Sequence, residues 1–334
     1  MLFRSPETLT QGLLAWDGWH YRSLLRLGYA AAPEGDARFF PLYPWIARSI
    51  RPLIGTTASL LIVANVAAFI AIMLVHRIAK DETGDERLAR RAAWCVAVLP
   101  PMFVMTMAYS EALFIALTAG GFLAARKQRW LTAAVLGFAA SLARPVGVLL
   151  VIPFAIEVWR SWRGSRAATR ASALLAAGSP ALGLGAFLGL MQHVFGDYFT
   201  PFRIQTTTGL RGRPIDPVTA FVRSLNTLVS GDHFGIGLHA VWLCIFAIFI
   251  ISAGRRLPAS FTVYAAAVTV VAFSSENLAS FERYVAAAFP IAIGASAMVC
   301  RADDRIDIWP SALAISTVAM FALSVVAFLG TFVP

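Results

Sequence analysis

Charge is scarce in this chain. Asp, Glu, Lys and Arg make up 14% of its 334 residues, against about 25% in a soluble globular domain. Set beside a hydrophobic content of 58%, that shortage excludes a water-soluble fold. Cysteine is scarce too: Cys95, Cys244 and Cys300 fall within or at the ends of apolar stretches, with neither disulfide nor metal-ligand spacing, and read as small buried hydrophobes. The sequence has no Gly-x-x-x-x-Gly-Lys-Ser/Thr loop for a nucleotide phosphate and no His-Glu-x-x-His zinc pattern. The formal net charge is +10, yet no basic domain or long basic helix carries it, which excludes nucleic acid as the partner.

What remains is apolar length. A helix rising 1.5 Å per residue needs about 20 residues to cross the hydrocarbon core, and stretches approaching that length recur from Thr56 onward. The expectation is an all-α polytopic membrane protein of about ten spans, at 56–78, 90–107, 110–126, 130–143, 146–159, 173–193, 237–254, 258–274, 285–300 and 309–332. Two of these, 130–143 and 146–159, are short and meet at Arg144-Pro145. They read as a tilted or partly buried pair, because non-helical backbone at membrane depth survives only inside protein or beside a cavity.

Sidedness follows from the loops. Counting from Thr56, alternate loops hold 16 Lys or Arg, whereas the intervening ones hold six: Arg144, Arg203, Arg211, Arg213, Arg223 and Arg283. The positive-inside rule places the richer set in the cytoplasm and the second set outside. Residues 1–55 then form an extracytoplasmic amphipathic segment, and 56–334 a transmembrane domain with a long external loop at 194–236. No apolar stretch before Trp16 is long enough to carry the segment across, so an upstream span is expected to precede it. Leu9 to Leu27 reads as one interfacial or re-entrant helix. In Phe39-Phe40-Pro41-Leu42-Tyr43-Pro44-Trp45, two prolines exclude a simple helix interior.

The outward loops concentrate the chemistry. Asp17 lies in Trp16-Asp17-Gly18-Trp19-His20-Tyr21, where flanking rings desolvate a carboxylate and stack on a sugar face; the plainer reading is a solvated Asp beside interfacial aromatics. His20 is placed to orient Asp17 or bind phosphate, or is an ordinary interfacial histidine. Tyr109-Ser110-Glu111 puts a carboxylate at a membrane boundary, which marks function by default, although a helix N-terminal acid is the alternative. Arg144 and Arg283-Tyr284 each open a span; either cation suits a lipid-linked phosphate or a pair with Glu111, against simple snorkelling. The long loop, with Asp197, Gln205, Arg211 and an amphipathic 218–228, reads as an acceptor-binding lid or as a surface-lying helix with basic residues. The inner acidic groups around Asp81 and at Asp303-Asp304 read as solvated loop faces.

Six short motifs recur in order between these spans: Trp16-Asp17 with His20-Tyr21, Phe39 to Pro44, Tyr109-Ser110-Glu111, Arg144-Pro145 with Gly147, Gly196-Asp197 with Gln205, and Arg283-Tyr284. In this the chain resembles the PIG-V-like glycosyltransferases, the family of the enzyme that adds the second mannose to GPI anchors, within the multi-span class called GT-C. The resemblance implies sugar transfer, mannose by analogy, from a polyprenyl-phosphate donor to a glycan or glycolipid hydroxyl, outside a prokaryotic plasma membrane and with inversion. It implies Asp17 as catalytic carboxylate, assisted by Glu111. Trp16, His20, Tyr21, Tyr109, Arg144, Asp197, Gln205, Arg283 and Tyr284 would bind substrate or phosphate. No definite cofactor is read, and a divalent metal is left open: Asp17, Glu111 and Asp197 could share one only if the fold brought them together. The rival is a transporter or flippase of a lipid-linked or amphipathic solute, which predicts paired broken helices in internal repeats.

Overall fold

The computed structural model describes residues 7–162, 166–207, 209–231, 236–300 and 307–329, and within them every regular element is helical. The Met1 end and Asp303-Asp304 lie outside the described residues.

Among the described residues, three helices are long and apolar enough to cross a membrane: Thr56–Thr83, Ala167–Phe195 and Trp309–Phe328. Glu86–Val98 with Pro100–Thr106 is long and apolar enough only as a pair, bent by 74° at the break in the manner of a broken span or a re-entrant loop. This corrects the expectation of ten spans. The other apolar stretches fold as shorter helices, among them Trp130–Ala143, Leu238–Gly254, Ala259–Phe273 and Pro290–Val299. Proline is one cause: Pro100, Pro145 and Pro290 each open a new element and interrupt the hydrogen-bond ladder there.

The N-terminal segment also differs from its expected single helix. It breaks into Glu7–Gln11, the 3-10 turn Gly12–Leu14 and Asp17–Leu27, with left-handed backbone at Gly12 and Trp16. The Leu42–Ile54 helix starts within the Phe39 to Trp45 run, with Pro41 as its N-cap. Pro44 stands in the first turn, where a missing N–H forfeits no intrahelical bond.

Large apolar side chains on the outer helices face outward: Val318 and Phe321 on Trp309–Phe328 are 68% and 69% exposed, the distribution expected when lipid is the solvent. Inside, glycine lets helices touch. A Cβ on Gly294 would lie 2.0 Å from the Phe249 carbonyl oxygen, and one on Gly183 would lie 2.3 Å from that of Phe138.

The Glu111–Arg126 helix sets the polarity of the bundle. Its first residue joins the cluster described below, while its last pairs with Glu82 at 2.7 Å and Glu157 at 3.1 Å. Sixteen residues separate these two charged ends by about 22 Å along the axis.

Candidate active site

Four helix breaks meet at the Glu111 end. Trp16 adopts φ 59° and ψ −119°, a conformation that disfavours side chains, and its indole N–H donates to the Ala327 carbonyl at 3.3 Å. The next residue, Asp17, thereby opens the Asp17–Leu27 helix, with its charge on the positive end of the helix dipole. Glu111 occupies the same place in Glu111–Arg126. Arg144 sits in extended backbone between Trp130–Ala143 and the 3-10 turn Pro145–Leu150, and Arg283 lies in the short helix Phe281–Ala286.

The charges of these breaks interlock. Arg283 Nη1 donates to Asp17 Oδ2 at 2.7 Å, and its Nε lies 3.1 Å from Glu111 Oε1. Arg144 Nη1 reaches the same Glu111 oxygen at 2.5 Å and donates to Ser110 Oγ at 3.3 Å. None of the contacts to Glu111 is aligned as a hydrogen bond, so its hold on the two guanidiniums is ionic. Tyr21 donates its hydroxyl hydrogen to Ser110 Oγ at 2.8 Å, and the Tyr109 hydroxyl accepts the Asp17 backbone N–H at 3.3 Å. The Tyr284 ring is approached by Arg144, Arg211 and Arg283, with guanidinium carbons 4.9, 5.0 and 5.0 Å from its centroid. Burial works to raise the Asp17 pKa, but Arg283 and then Arg38 outweigh it and hold the carboxyl below its ordinary value.

A cavity of about 320 Å³ opens over Asp17. Of the residues singled out in the sequence, Trp16, Asp17, His20, Gln205, Arg283 and Tyr284 line it. Tyr21, Tyr109, Glu111 and Arg144 form a buried layer bonded to that lining. Asp197 is not brought in. Its carboxylate accepts the Phe199 N–H at 2.9 Å and pairs with Arg203 at 3.2 Å, capping its own turn, so Asp17, Glu111 and Asp197 share no site.

Two charged groups of the site, Asp36 and Arg38, have no place in the sequence reading above, and Arg211 enters it only as part of the long loop. Arg38 and Arg211 line the cavity, and neither has a carboxylate partner among the described residues. Arg211 is held over Tyr284 by donation to the Ala272 carbonyl and to Ser275 Oγ, the latter at 2.9 Å, and its loop is zipped to 276–277 by the Glu276 and Asn277 N–H groups. Burial lowers its pKa, and Arg144 and Arg283 add to the effect. Asp36, 3% exposed, lies behind His20. No periodicity or motif marks these positions; only the excess of arginine in outward loops hinted at Arg211.

No protein-family model and no curated protein matches the chain. Among solved structures, ArnT from Cupriavidus metallidurans in the apo state aligns at a TM-score of 0.53 and 12% identity, over 93% of this chain and 70% of that one. The same enzyme bound to undecaprenyl phosphate aligns at 0.53 and 12%, over 92% of this chain and 66% of that one. The chain therefore spans about two thirds of that protein's length. At 12% identity the likeness is one of fold: an all-α, multi-helical membrane protein with the GT-C-like arrangement.

Proposed function

We propose that the chain transfers a sugar from a polyprenyl-phosphate donor to an acceptor hydroxyl bound in the cavity over Asp17. The observation that carries this reading is the charge of the lining: three guanidiniums, of Arg38, Arg211 and Arg283, against the single carboxylate of Asp17. Two of those cations, Arg38 and Arg211, have no carboxylate at ion-pair distance among the described residues, and a half-buried cation so placed suits an anionic ligand. A phosphate answers that need, and ArnT, which shares the fold, has been solved with undecaprenyl phosphate.

Arg38 and Arg211 would seat the donor phosphate and stabilise the charge that grows on it as the glycosidic C1–O bond breaks. Asp17, kept ionised by Arg283, would accept the hydrogen bond of the acceptor hydroxyl and draw off its proton. Trp16 and Trp19 offer ring faces to the sugar. Glu111 holds Arg283 from behind and is itself paired with Arg144, a supporting task for Arg144 in place of the direct phosphate contact that the sequence offered as one alternative. A single displacement inverts the anomeric centre. Mannose as the sugar, the PIG-V-like family and an extracytoplasmic site in a prokaryotic plasma membrane complete the proposal; they rest on the motifs and loop charges of the sequence.

The test is incubation of purified protein with radiolabelled polyprenyl-phosphate sugars and membrane extract. Label from the mannosyl donor is expected in a lipid or glycan product of inverted configuration. Folded protein that transfers none of the sugars refutes the proposal.

A further inference from the structure

We infer that His20, oriented by Asp36, is the proton outlet of the site, receiving through Asp17 the proton that leaves the acceptor hydroxyl. The inference rests on the sugar-transfer reading above and adds to it a second residue pair.

The pair is built for one purpose. Asp36, in the 3-10 turn Glu34–Arg38, is 3% exposed, and its Oδ1 lies 2.6 Å from His20 Nδ1. Its other oxygen, Oδ2, is buried with no hydrogen-bond partner, so the histidine is what this buried charge serves. A carboxylate only accepts, which assigns the neutral imidazole proton to Nδ1 and leaves Nε2 as the acceptor of the ring, facing Arg38. The ring is fixed in plane by stacking on Phe39, centroids 4.7 Å apart at 17°. His20 lines the cavity, where the Arg38 Nη2 group stands 3.5 Å from Nε2. His20 follows Asp17 by three positions in one helix, so both side chains leave the same helix face.

Asp17 is a poor resting place for a proton. Protonating it would break the 2.7 Å pair with Arg283, a guanidinium that is 3% exposed. In the step proposed, the acceptor O–H bond breaks and its oxygen bonds to C1 of the sugar. The C1–O bond to phosphate breaks with its electron pair leaving on the phosphate oxygen. The proton passes by way of Asp17 to His20 Nε2, where the Asp36 charge stabilises the imidazolium, and departs through the cavity mouth. The charged groups facing the imidazole are Asp36 and Arg38 from the turn, Asp17 from its own helix, and Arg211 and Arg283 across the cavity.

The experiment compares wild type, His20→Gln and Asp36→Asn in the labelled-donor assay, with donor affinity measured alongside. His20→Gln, at a partly exposed position, loses about 10²- to 10⁴-fold in kcat and keeps donor affinity. Asp36→Asn keeps donor affinity and loses kcat, because the imidazole is no longer held in the tautomer that leaves Nε2 to accept. His20→Gln with wild-type kcat overturns the inference, and wild-type kcat in Asp36→Asn overturns the part given to Asp36. A wild type that binds donor but transfers nothing refutes the sugar-transfer reading instead, and the outlet falls with it.

Discussion

Glu111 is the residue on which the buried layer depends, and Glu111→Gln measures that dependence. Its side chain is fully buried and compensates two guanidiniums at once, those of Arg144 and Arg283. Removing one partner of a buried ion pair costs about 3–5 kcal/mol, because the remaining charge stays out of water without compensation. In the variant Arg283 keeps Asp17, whereas Arg144 keeps only Ser110 Oγ and the Tyr284 ring. The loss is therefore expected in the upper part of the range, about 4–5 kcal/mol, or roughly 10³-fold in the unfolding equilibrium. The assay is denaturant unfolding in detergent micelles. Adding Arg144→Met to Glu111→Gln should recover at least half of the lost stability, since deleting both charges of a buried pair is often close to neutral. A Glu111→Gln protein within about 0.5 kcal/mol of wild type, the range of an ordinary surface change, would refute the placement of Glu111 as the buried counter-ion.

Three further outcomes follow from the same geometry. Asp17→Asn should retain donor binding and lose about 10²- to 10⁴-fold in turnover of labelled donor; because Arg283 holds the Asp17 carboxyl below its ordinary 3.8, its stabilising pair is complete at neutral pH and is lost only as pH falls through that lowered value. The stability difference between wild type and Asp17→Asn, followed by unfolding, should accordingly stay constant from about pH 8 down to about pH 5 and shrink below about pH 4. Arg211→Gln should weaken donor binding by about 10- to 100-fold, the worth of a hydrogen bond to a charged group, with a near-native unfolding curve; equal affinity in a direct binding assay would move the phosphate elsewhere. Gly294→Ala places a Cβ 2.0 Å from the Phe249 carbonyl oxygen, so the two helices must separate, at a cost of about 1–3 kcal/mol in thermal or denaturant unfolding.

Composition alone made the helical membrane fold legible, and the high price of burying charge in an apolar chain made part of the site legible as well. Asp17, Glu111, Arg144 and Arg283 stand out in sequence because isolated charges at the ends of apolar runs need partners, and here they partner one another. Asp197 resembled them for a different reason: Gly-Asp after a long helix is also the pattern of a local cap, and the carboxylate closes its own turn. Asp36 and Arg38 had no such signal. They sit in an irregular stretch with no apolar period, and their proximity to His20 is produced by the turn that carries them back toward the Asp17–Leu27 helix.

The mismatch in span number and the position of the site have one physical origin. Hydropathy averages along the chain, so it registers Arg144-Pro145 only as a boundary between two apolar runs and passes over Leu99-Pro100 within one. At such a boundary the proline removes a backbone donor and the helix stops short of a full crossing. A charged side chain at an unbroken mid-span position would face lipid or pack against helix. At a break it is carried inward: extended backbone at Arg144, φ −155° and ψ 148°, delivers its guanidinium to Glu111 at the head of the neighbouring helix. Irregular backbone at this depth is tolerated only where protein or a cavity surrounds it, and the cavity over Asp17 supplies that setting. Shortened helices are thus the means by which this chain gathers four charges from four separate breaks, and counting each apolar run as a span overcounts the crossings for the same reason.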